Sequence, residues 1–409
     1  DERNSDISHN TIIVSSYTHN GTNHIIKSAS TSSHINSINN NVITYDFQGY
    51  HRFQWVINTS HYTNVKNNTI NGDELESAIY AGGYCAVENN TITGDYSSHV
   101  LYVGGDSSVV KDNLVTNSGG GYGYYTNYGS GQEIKNNVFY HSGSGPMAYV
   151  HNSNANLHHN LFEGNSGRGI NYTYQSSGQI YNNTLVSNTG DYGIYQSNQT
   201  VASVYNNIFQ GFDNGVYVEN TIANYNLNNN LFWDIDENVF SGTALPPLAG
   251  QMIAENPNGL TADIYNNLYF DPLFVHPDTN NYSIQAGSPA VNAGYASTAD
   301  PDGSVSDIGA YYYHIYVTMA HTALGNTNDV TGPYRVKAKL SSPAGATITG
   351  SVYYAVDGGS YAELPMTAAS NDTFYADIPG QALNTTIEYY ISGTDGDNTS
   401  TLPYNISGG

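Results

Sequence analysis

The sequence predicts an all-β chain: a right-handed parallel β-helix of about twelve coils of ~23 residues, then a small antiparallel β-sandwich. Three observations predict it. An Asn-Asn motif recurs at a nearly constant interval. Apolar residues keep fixed offsets from that motif. After about residue 315 the period gives way to alternating apolar and polar residues.

The motif reads apolar, x, Asn-like, Asn, x, apolar, as in "VKNNTI", "VENNTI", "IKNNVF" and "IYNNTL". Its second asparagine falls at Asn10, Asn41, Asn68, Asn90, Asn113, Asn137, Asn160, Asn183, Asn207, Asn230 and Asn267. From Asn68 to Asn230 every interval is 22 to 24 residues, a regularity that only a solenoid explains. No coil holds ten residues of helical period, and the framework of leucine-rich repeats is absent. Short β-runs between Gly, Asn and Ser suit a parallel β-helix with about three short strands per coil and a rise of roughly 4.8 Å.

Two residues after the anchors stand Ile70, Ile92, Val115, Phe139, Phe162 and Leu185, a column that must point inward. Cys85 shares the inward parity of Val87, which makes it a core residue rather than a nucleophile. A coil must bend between its sheets, and Asn tolerates the left-handed backbone. Stacked amides can also donate and accept along a column. The anchor asparagines therefore read as hinge and ladder, not as a ligand set. The stretch "GTALPPLAGQMIAENPNG", within Ser241 to Leu260, lengthens the last interval to 37 and is expected to leave the rod as a loop.

After Asn267 come "DPLFVHPDTNNYSIQAGSPAVNAG" and "DPDGSVSDIGAY". Over roughly 271–311 the chain resembles the closing segment of a broad class of secreted right-handed β-helix repeat proteins. The resemblance implies the fold and an extracellular or cell-surface setting. It does not imply one activity, because the class holds polysaccharide lyases, adhesins and proteins of unknown role. Asn292 stands where such relatives often have Asp. Beyond it, "YRVKAKL", "GSVYYAV", "TFYADIP" and "TIEYYIS" alternate as antiparallel strands do. "FYADIPG" and "TTIEYYISGTDGDN" resemble immunoglobulin-like or fibronectin-type-III-like modules, which serve as spacers or attachment domains. The expected division is 1–314 for the β-helix, with its closing segment at about 271–314, and 315–409 for the sandwich.

The net charge of −24 argues against nucleic acid or an anionic membrane surface as partner. With 38 Tyr the chain is not a disordered acidic segment. No run of eighteen apolar residues exists to cross a membrane. One cysteine forbids an internal disulfide. Glycosylation sequons recur, at Asn58, Asn171, Asn198, Asn371 and Asn384 among others.

A polysaccharide lyase needs a base and a cation for the substrate carboxylate. Bases are scarce. Lys66, Glu88, Lys111 and Lys135 share one repeat position and read as an outward charge ladder; Arg168 is isolated, and Arg52 lies in an irregular early coil. A hydrolase needs two carboxylates about 5–9.5 Å apart. Asp95, Asp106, Asp191, Asp213 and Glu219 do not repeat at one register, and "NGDELES", with Asp73, Glu74 and Glu76, reads as a turn. His158 and His159, being adjacent, are expected on opposite faces of a strand. Asp300, Asp302 and Asp307 could hold calcium, against the alternative of a capping turn. A basic side chain within about 5 Å of a carboxylate on the tyrosine sheet would favour an enzyme.

Tyr80, Tyr102, Tyr125, Tyr149, Tyr172, Tyr195 and Tyr217 recur at the coil period, with Tyr149 and Tyr172 open to a shift of one. They are expected to form an outward column for self-stacking, glycan contact or contact with another copy. The first motif begins at Ile7, so a coil end is expected to be covered by a preceding segment or by another protomer, whose C-terminal module would be the donor. The expected function is an extracellular or cell-surface structural or adhesive element, up to a self-assembling fibre or array subunit. Its partners would be its own copies or surface glycan, with no required cofactor. The alternative is a polysaccharide-active enzyme, a lyase before a glycoside hydrolase.

Overall fold

The computed structural model describes residues 6–14, 24–28, 35–45, 55–164, 167–197, 199–219, 226–285, 287–313, 317–342, 347–396 and 399–403, with the side chains of Asp73 and Glu74 excepted. Arg52 and Asn198 lie outside the described residues, as does the expected boundary at 314/315.

Strands stack in parallel, coil upon coil. Ten form one sheet, from Asp6–Ser8 through Ala86–Glu88 and Asn154–His158 to Leu227–Asn228. A second sheet of sixteen strands bends around the rest of the coil. Thr69–Ala81, Thr91–Val103, Thr184–Gln196 and Ile208–Val218 run through that bend as single strands of 11 to 13 residues, so several coils have two strands rather than three. The expected turn at "NGDELES" is part of the first of these. About eight turns are regular, fewer than the twelve expected, matching the anchors from Asn68 to Asn230. Among the described residues no helix is long and apolar enough to cross a membrane.

The two asparagines of each motif divide the work. The first position, His9, Asp112 and His159 included, holds φ of 48 to 59° and turns the chain. The second is buried and forms the ladder. Asn137, for example, donates from backbone N and from Nδ2 to Asn160 Oδ1 (3.0 and 2.9 Å) and accepts the same pair from Asn113. Its Nδ2 also reaches Val110 O and Lys135 O. The left-handed residue is thus the one before the anchor, not the anchor itself. The inward column is as expected: Ile70, Ile92, Val115, Phe139, Phe162 and Leu185 are register partners on successive coils and fully buried. Cys85 is buried among them, its thiol pushed up by burial.

The insertion does not leave the rod. Ala244 and Leu245 pack on the end of the core beside Phe240. Ala254–Glu255 pairs with Thr261–Ala262, and Asp263 sits wholly buried beneath Asn267. Apolar surface at the last coil needs a cover, and this segment supplies it. The closing segment runs back along the flank of the coils. Its Ile284, Ala290 and Ile308 cover the outward Leu161, Val186, Ile208 and Leu231. First-position asparagines hold it: Asn182 Nδ2 donates to Asp307 O (2.8 Å), Asn229 Nδ2 to Ala293 O (3.0 Å), and Asn206 Oδ1 accepts from Tyr295 N (2.8 Å).

The C-terminal residues form two four-stranded antiparallel sheets. One orders Thr318–His321, Tyr334–Ser341, Thr373–Ile378 and Thr367–Ala368; the other orders Ala362–Pro365, Thr349–Val356, Ile387–Thr394 and Thr399–Leu402. Val336, Leu340, Val352, Ile378 and Ile391 fill the space between them. The four alternating runs read from the sequence are all strands here.

Candidate functional site

The tyrosine column is real, with one substitution. Tyr80, Tyr102, Tyr125 and Tyr149 are register partners on four successive coils. Tyr195 and Tyr217 continue it two coils on. Between them the place is taken by Asn171, which pairs with Tyr149 on one side and Tyr195 on the other. Tyr172 is therefore not in the column. It is 0 % exposed, and its hydroxyl donates to Ala155 O at 2.7 Å. Ile170 decides this by pairing with Ala148 and Ile194, and a one-residue offset sends the next side chain to the other face.

A second file of rings runs beside the first, at Trp55, His99, Tyr122 and Tyr192, which the sequence reading missed. Trp55 lies 5.3 Å from Tyr80, His99 4.6 Å from Tyr125, and Tyr122 5.1 Å from Tyr149. Tyr125 and Tyr149 stack at 7°, Tyr195 and Tyr217 at 4°. Tyr80 and Tyr102, and Tyr102 and Tyr125, meet edge to face instead, at 82° and 83°. Each such pair contributes about 0.5–1.5 kcal/mol beyond its buried area. Burial pushes the Tyr125 phenol up to about 12 and the His99 imidazole down to about 4. At neutral pH this face offers phenol donors and an uncharged histidine.

At Asn171 the column is interrupted, and there Arg168 enters. Its guanidinium lies 3.8 Å from the Tyr195 ring centroid and 5.5 Å from that of Tyr192. Its Nε is 3.5 Å from Asp191 Oδ2. Asn171 is 4 % exposed, and among the described residues its Oδ1 has no hydrogen-bond partner. A buried acceptor left so costs about 1–3 kcal/mol. Burial also closes the Asn171 sequon to a glycan.

Acids do align here, contrary to expectation. Gly190 pairs with Phe212 and Tyr192 with Asn214, which puts Asp191 and Asp213 at one register; Asn214 pairs with Asn238, which puts Glu237 next. The signal was the spacing from Asp191 through Asp213 to Glu237, obscured because one member is Glu. The Asp213 carboxyl is pushed up, by lost hydration first and then by Glu237, Asp236 and Asp191. Asn214 Nδ2 donates to Glu237 Oε2 at 3.3 Å.

Two overlapping stretches, residues 28–185 and 77–232, match the family model described as a right handed beta helix region. Together they span 205 of the 409 residues. The chain belongs to the right-handed β-helix family. No curated protein matches it. This fold is shared by adhesins and by polysaccharide-active enzymes, so the family does not choose between them.

The β-helix's other sheet carries the charge ladder. Glu88 sits between Lys66 (2.9 Å) and Lys111 (3.8 Å). The same column continues as Lys135, His158, Tyr181 and Tyr205, the last three stacked at 4.6 and 5.1 Å. His158 and His159 are not on opposite faces. His159 occupies the left-handed turn, and its Nδ1 lies 2.9 Å from His158 Nδ1, while His158 Nε2 meets Glu133 Oε2 at 3.1 Å. Burial lowers both histidines, His159 to about 4.

In the β-helix's closing segment the three candidate calcium ligands face backbone donors. Asp307 Oδ1 accepts from Asn292 N at 2.6 Å and its Oδ2 from Tyr313 N at 2.5 Å. Asp300 Oδ2 accepts from Asp307 N at 2.9 Å, and Asp302 Oδ1 from Ser304 N at 3.0 Å. Among the described residues no group of three His, Cys, Asp or Glu is placed to hold a metal ion.

Proposed function

We propose that this β-helix is a structural or adhesive element of the cell exterior whose aromatic face holds an extended neutral glycan. The observation that carries the reading is the ring column from Tyr80 to Tyr217, bordered on its last two coils by Asp191 and Asp213, with Glu237 on the coil after them. Phenol hydroxyls can exchange hydrogen bonds with sugar hydroxyls. Carboxylates accept from sugar hydroxyls, while their charge repels an acidic polymer. A rod that repeats one surface per coil suits a polymer that repeats one unit per sugar. Residues 241–263 cover the last coil, which favours glycan contact over end-to-end stacking at that end. The strand order of the C-terminal sheets supports an immunoglobulin-like or fibronectin-like module acting as a spacer.

A second reading, glycoside hydrolysis, is favoured by the same acids. Register neighbours on successive coils are roughly 4.8 Å apart, near the lower end of the separations glycosidase carboxylates use. Arg168 beside Asp191 also meets the condition set for an enzyme. Lyase chemistry has less support than hydrolysis, because Lys66 and Lys111 are paired with Glu88 on the other sheet.

Electrophoresis through gels containing hydroxyethylcellulose or polygalacturonate, with a reducing-end assay, tests both. The expected result is retardation by the neutral polymer alone and no new reducing ends. Retardation by neither polymer sinks the glycan reading. New reducing ends that Asp213→Asn removes would establish the hydrolase instead.

A further inference from the structure

The chain has ten Lys and Arg against 34 Asp and Glu, and three of the ten stand on one strand of the C-terminal residues. Arg335, Lys337 and Lys339 alternate along Tyr334–Ser341 and are exposed, while Val336, Ala338 and Leu340 between them are buried. The three cations border an open groove of about 580 Å³, with Ala320 and Leu324 across from them. Arg335 is committed. Its Nε and Nη2 donate to Asp377 Oδ1 and Oδ2 at 2.8 Å, and its guanidinium lies 4.4 Å from the Tyr375 ring centroid. Among the described residues Lys337 and Lys339 have no ion-pair partner. The groove is preformed. His321 Nδ1 lies 2.8 Å from Lys337 O and its Nε2 2.8 Å from the Tyr389 hydroxyl, which also accepts from Leu324 N at 2.8 Å, so the wall is tied to both sheets.

The complementary surface is on the last regular coil, one coil beyond Tyr217. There Trp233 is 40 % exposed, and Asp234, Asp236 and Glu237 after it are exposed as well. The backbone of this edge is held: Gly211 N donates to Asp234 O at 3.1 Å, Asp236 N to Phe212 O at 3.1 Å and Glu237 N to Asp213 O at 2.7 Å. We infer that these two surfaces dock on one another between copies: the 233–237 edge of one chain enters the Lys337–Lys339 groove of a second. The inference goes beyond the glycan reading and does not depend on it.

Charge and shape select the occupant. Lys337 and Lys339 stand roughly 7 Å apart on one face, and their long stems let both ammonium groups reach neighbouring carboxylates. Acids are plentiful on residues 1–314, with 26 against seven Lys and Arg, so the aromatic anchor fixes the place. Trp233 brings apolar surface to Leu324 and a ring face to a lysine, ringed by charge, the arrangement that carries most binding energy at interfaces. An acidic polymer would satisfy the lysines and leave Trp233 and Leu324 without a role. The net charge of −24 repels copies at long range. At about 0.15 M salt the Debye length is about 8 Å, so opposed patches in contact outweigh distant charge. Edge and groove are different surfaces, so each docked copy keeps one of each free, and repetition builds a file of copies.

The test is sedimentation velocity of the full chain at about 0.15 M salt over a range of concentrations. The native chain is compared with K337E/K339E, with D236K/E237K and with an equimolar mixture of the two. Thermal unfolding midpoints confirm that each is folded, and Trp233→Ser probes the anchor without changing charge. The native chain is expected to associate with rising concentration. Either double variant alone, and Trp233→Ser, should weaken association about tenfold or more. The mixture should recover it, because each variant supplies the half that the other lacks. A native chain that stays a single species up to about 1 mM overturns the inference. So does association that neither double variant weakens, or a mixture that does not recover. Retardation of a monomeric native chain in a polygalacturonate gel, lost in K337E/K339E, gives the groove to an acidic polymer instead.

Discussion

Asp263 stands where the next asparagine of the ladder would stand below Asn267. Its Oδ1 accepts from the Asn267 backbone N–H at 2.9 Å, and its Oδ2 from Asn267 Nδ2 at 3.0 Å. One coil earlier Asn230 gives the same two donors to Asn267 Oδ1. The insertion thus supplies the acceptor that ends the ladder, and Asp263 Oδ2 also accepts from Gly250 N at 2.9 Å, which ties down the cover. Asp263→Ala leaves these buried donors unpaired. Its expected cost is about 1–3 kcal/mol, measured by chemical denaturation. Leu245→Asp is expected to lift the cover and expose the last coil, seen as concentration-dependent association in sedimentation.

Within one motif the two asparagines should respond oppositely. Asn136 needs only its left-handed backbone, so Asn136→Gly is expected to stay within about 1 kcal/mol of native while Asn136→Val costs about 1–2 kcal/mol. Asn137 loses its ladder bonds in Asn137→Ala, for an expected cost on the order of 3 kcal/mol. Denaturant midpoints of the three variants decide it; equal costs would refute the division of roles.

Tyr172 and Tyr195 occupy the same sequence column and different environments. Tyr172→Ala opens a core cavity and is expected to cost about 3–5 kcal/mol, whereas Tyr195→Ala loses the Tyr217 stack and the exposed Arg168 contact, for about 1–2 kcal/mol. A larger loss at Tyr195 would place Tyr172 outside.

Acid should act in opposite senses on two regions. The folded chain holds His99 near 4, below its unfolded value of about 6.5, so the stability it contributes is present above that value and is lost as pH falls toward 4. Asp300 and Asp307 are raised to about 6 and about 7, by burial first, with Asp302 adding to both. Their contribution is complete below about 3.9 and is lost as pH rises through 6 to 7. Hydrogen exchange corrected for intrinsic rates, compared at pH 7.5 and 5, should show protection falling around 96–125 and rising around 292–313. His99→Phe should flatten the first response and Asp300→Asn part of the second.

The repeat made most of this architecture legible. Asn anchors, inward Ile and Phe, and the sandwich strands all follow from period and parity, because one coil cannot bury its apolar face without the next. Cys85 and the Glu88 ladder were legible for the same reason. Asn171 was legible only in part: a shift of one was open at both Tyr149 and Tyr172, and the offset in "INYT" that displaces Tyr172 alone leaves the tyrosine period intact while exchanging inside for outside. The alignment of Asp191, Asp213 and Glu237 was missed because a change of residue type hid a preserved interval.

By itself, then, the sequence determined the coil: its period, its core and the residues that turn it, all of which are local and repeated. The tertiary structure alone decided the ends and the site. That insertion 241–263 covers the last coil and that the closing segment lies along the flank are contacts between segments with no shared period, and Arg168 meets Tyr195 through side chains that no other coil repeats. They depend on which apolar surface was left uncovered and which donor was already committed, and neither is written at any single position of the chain.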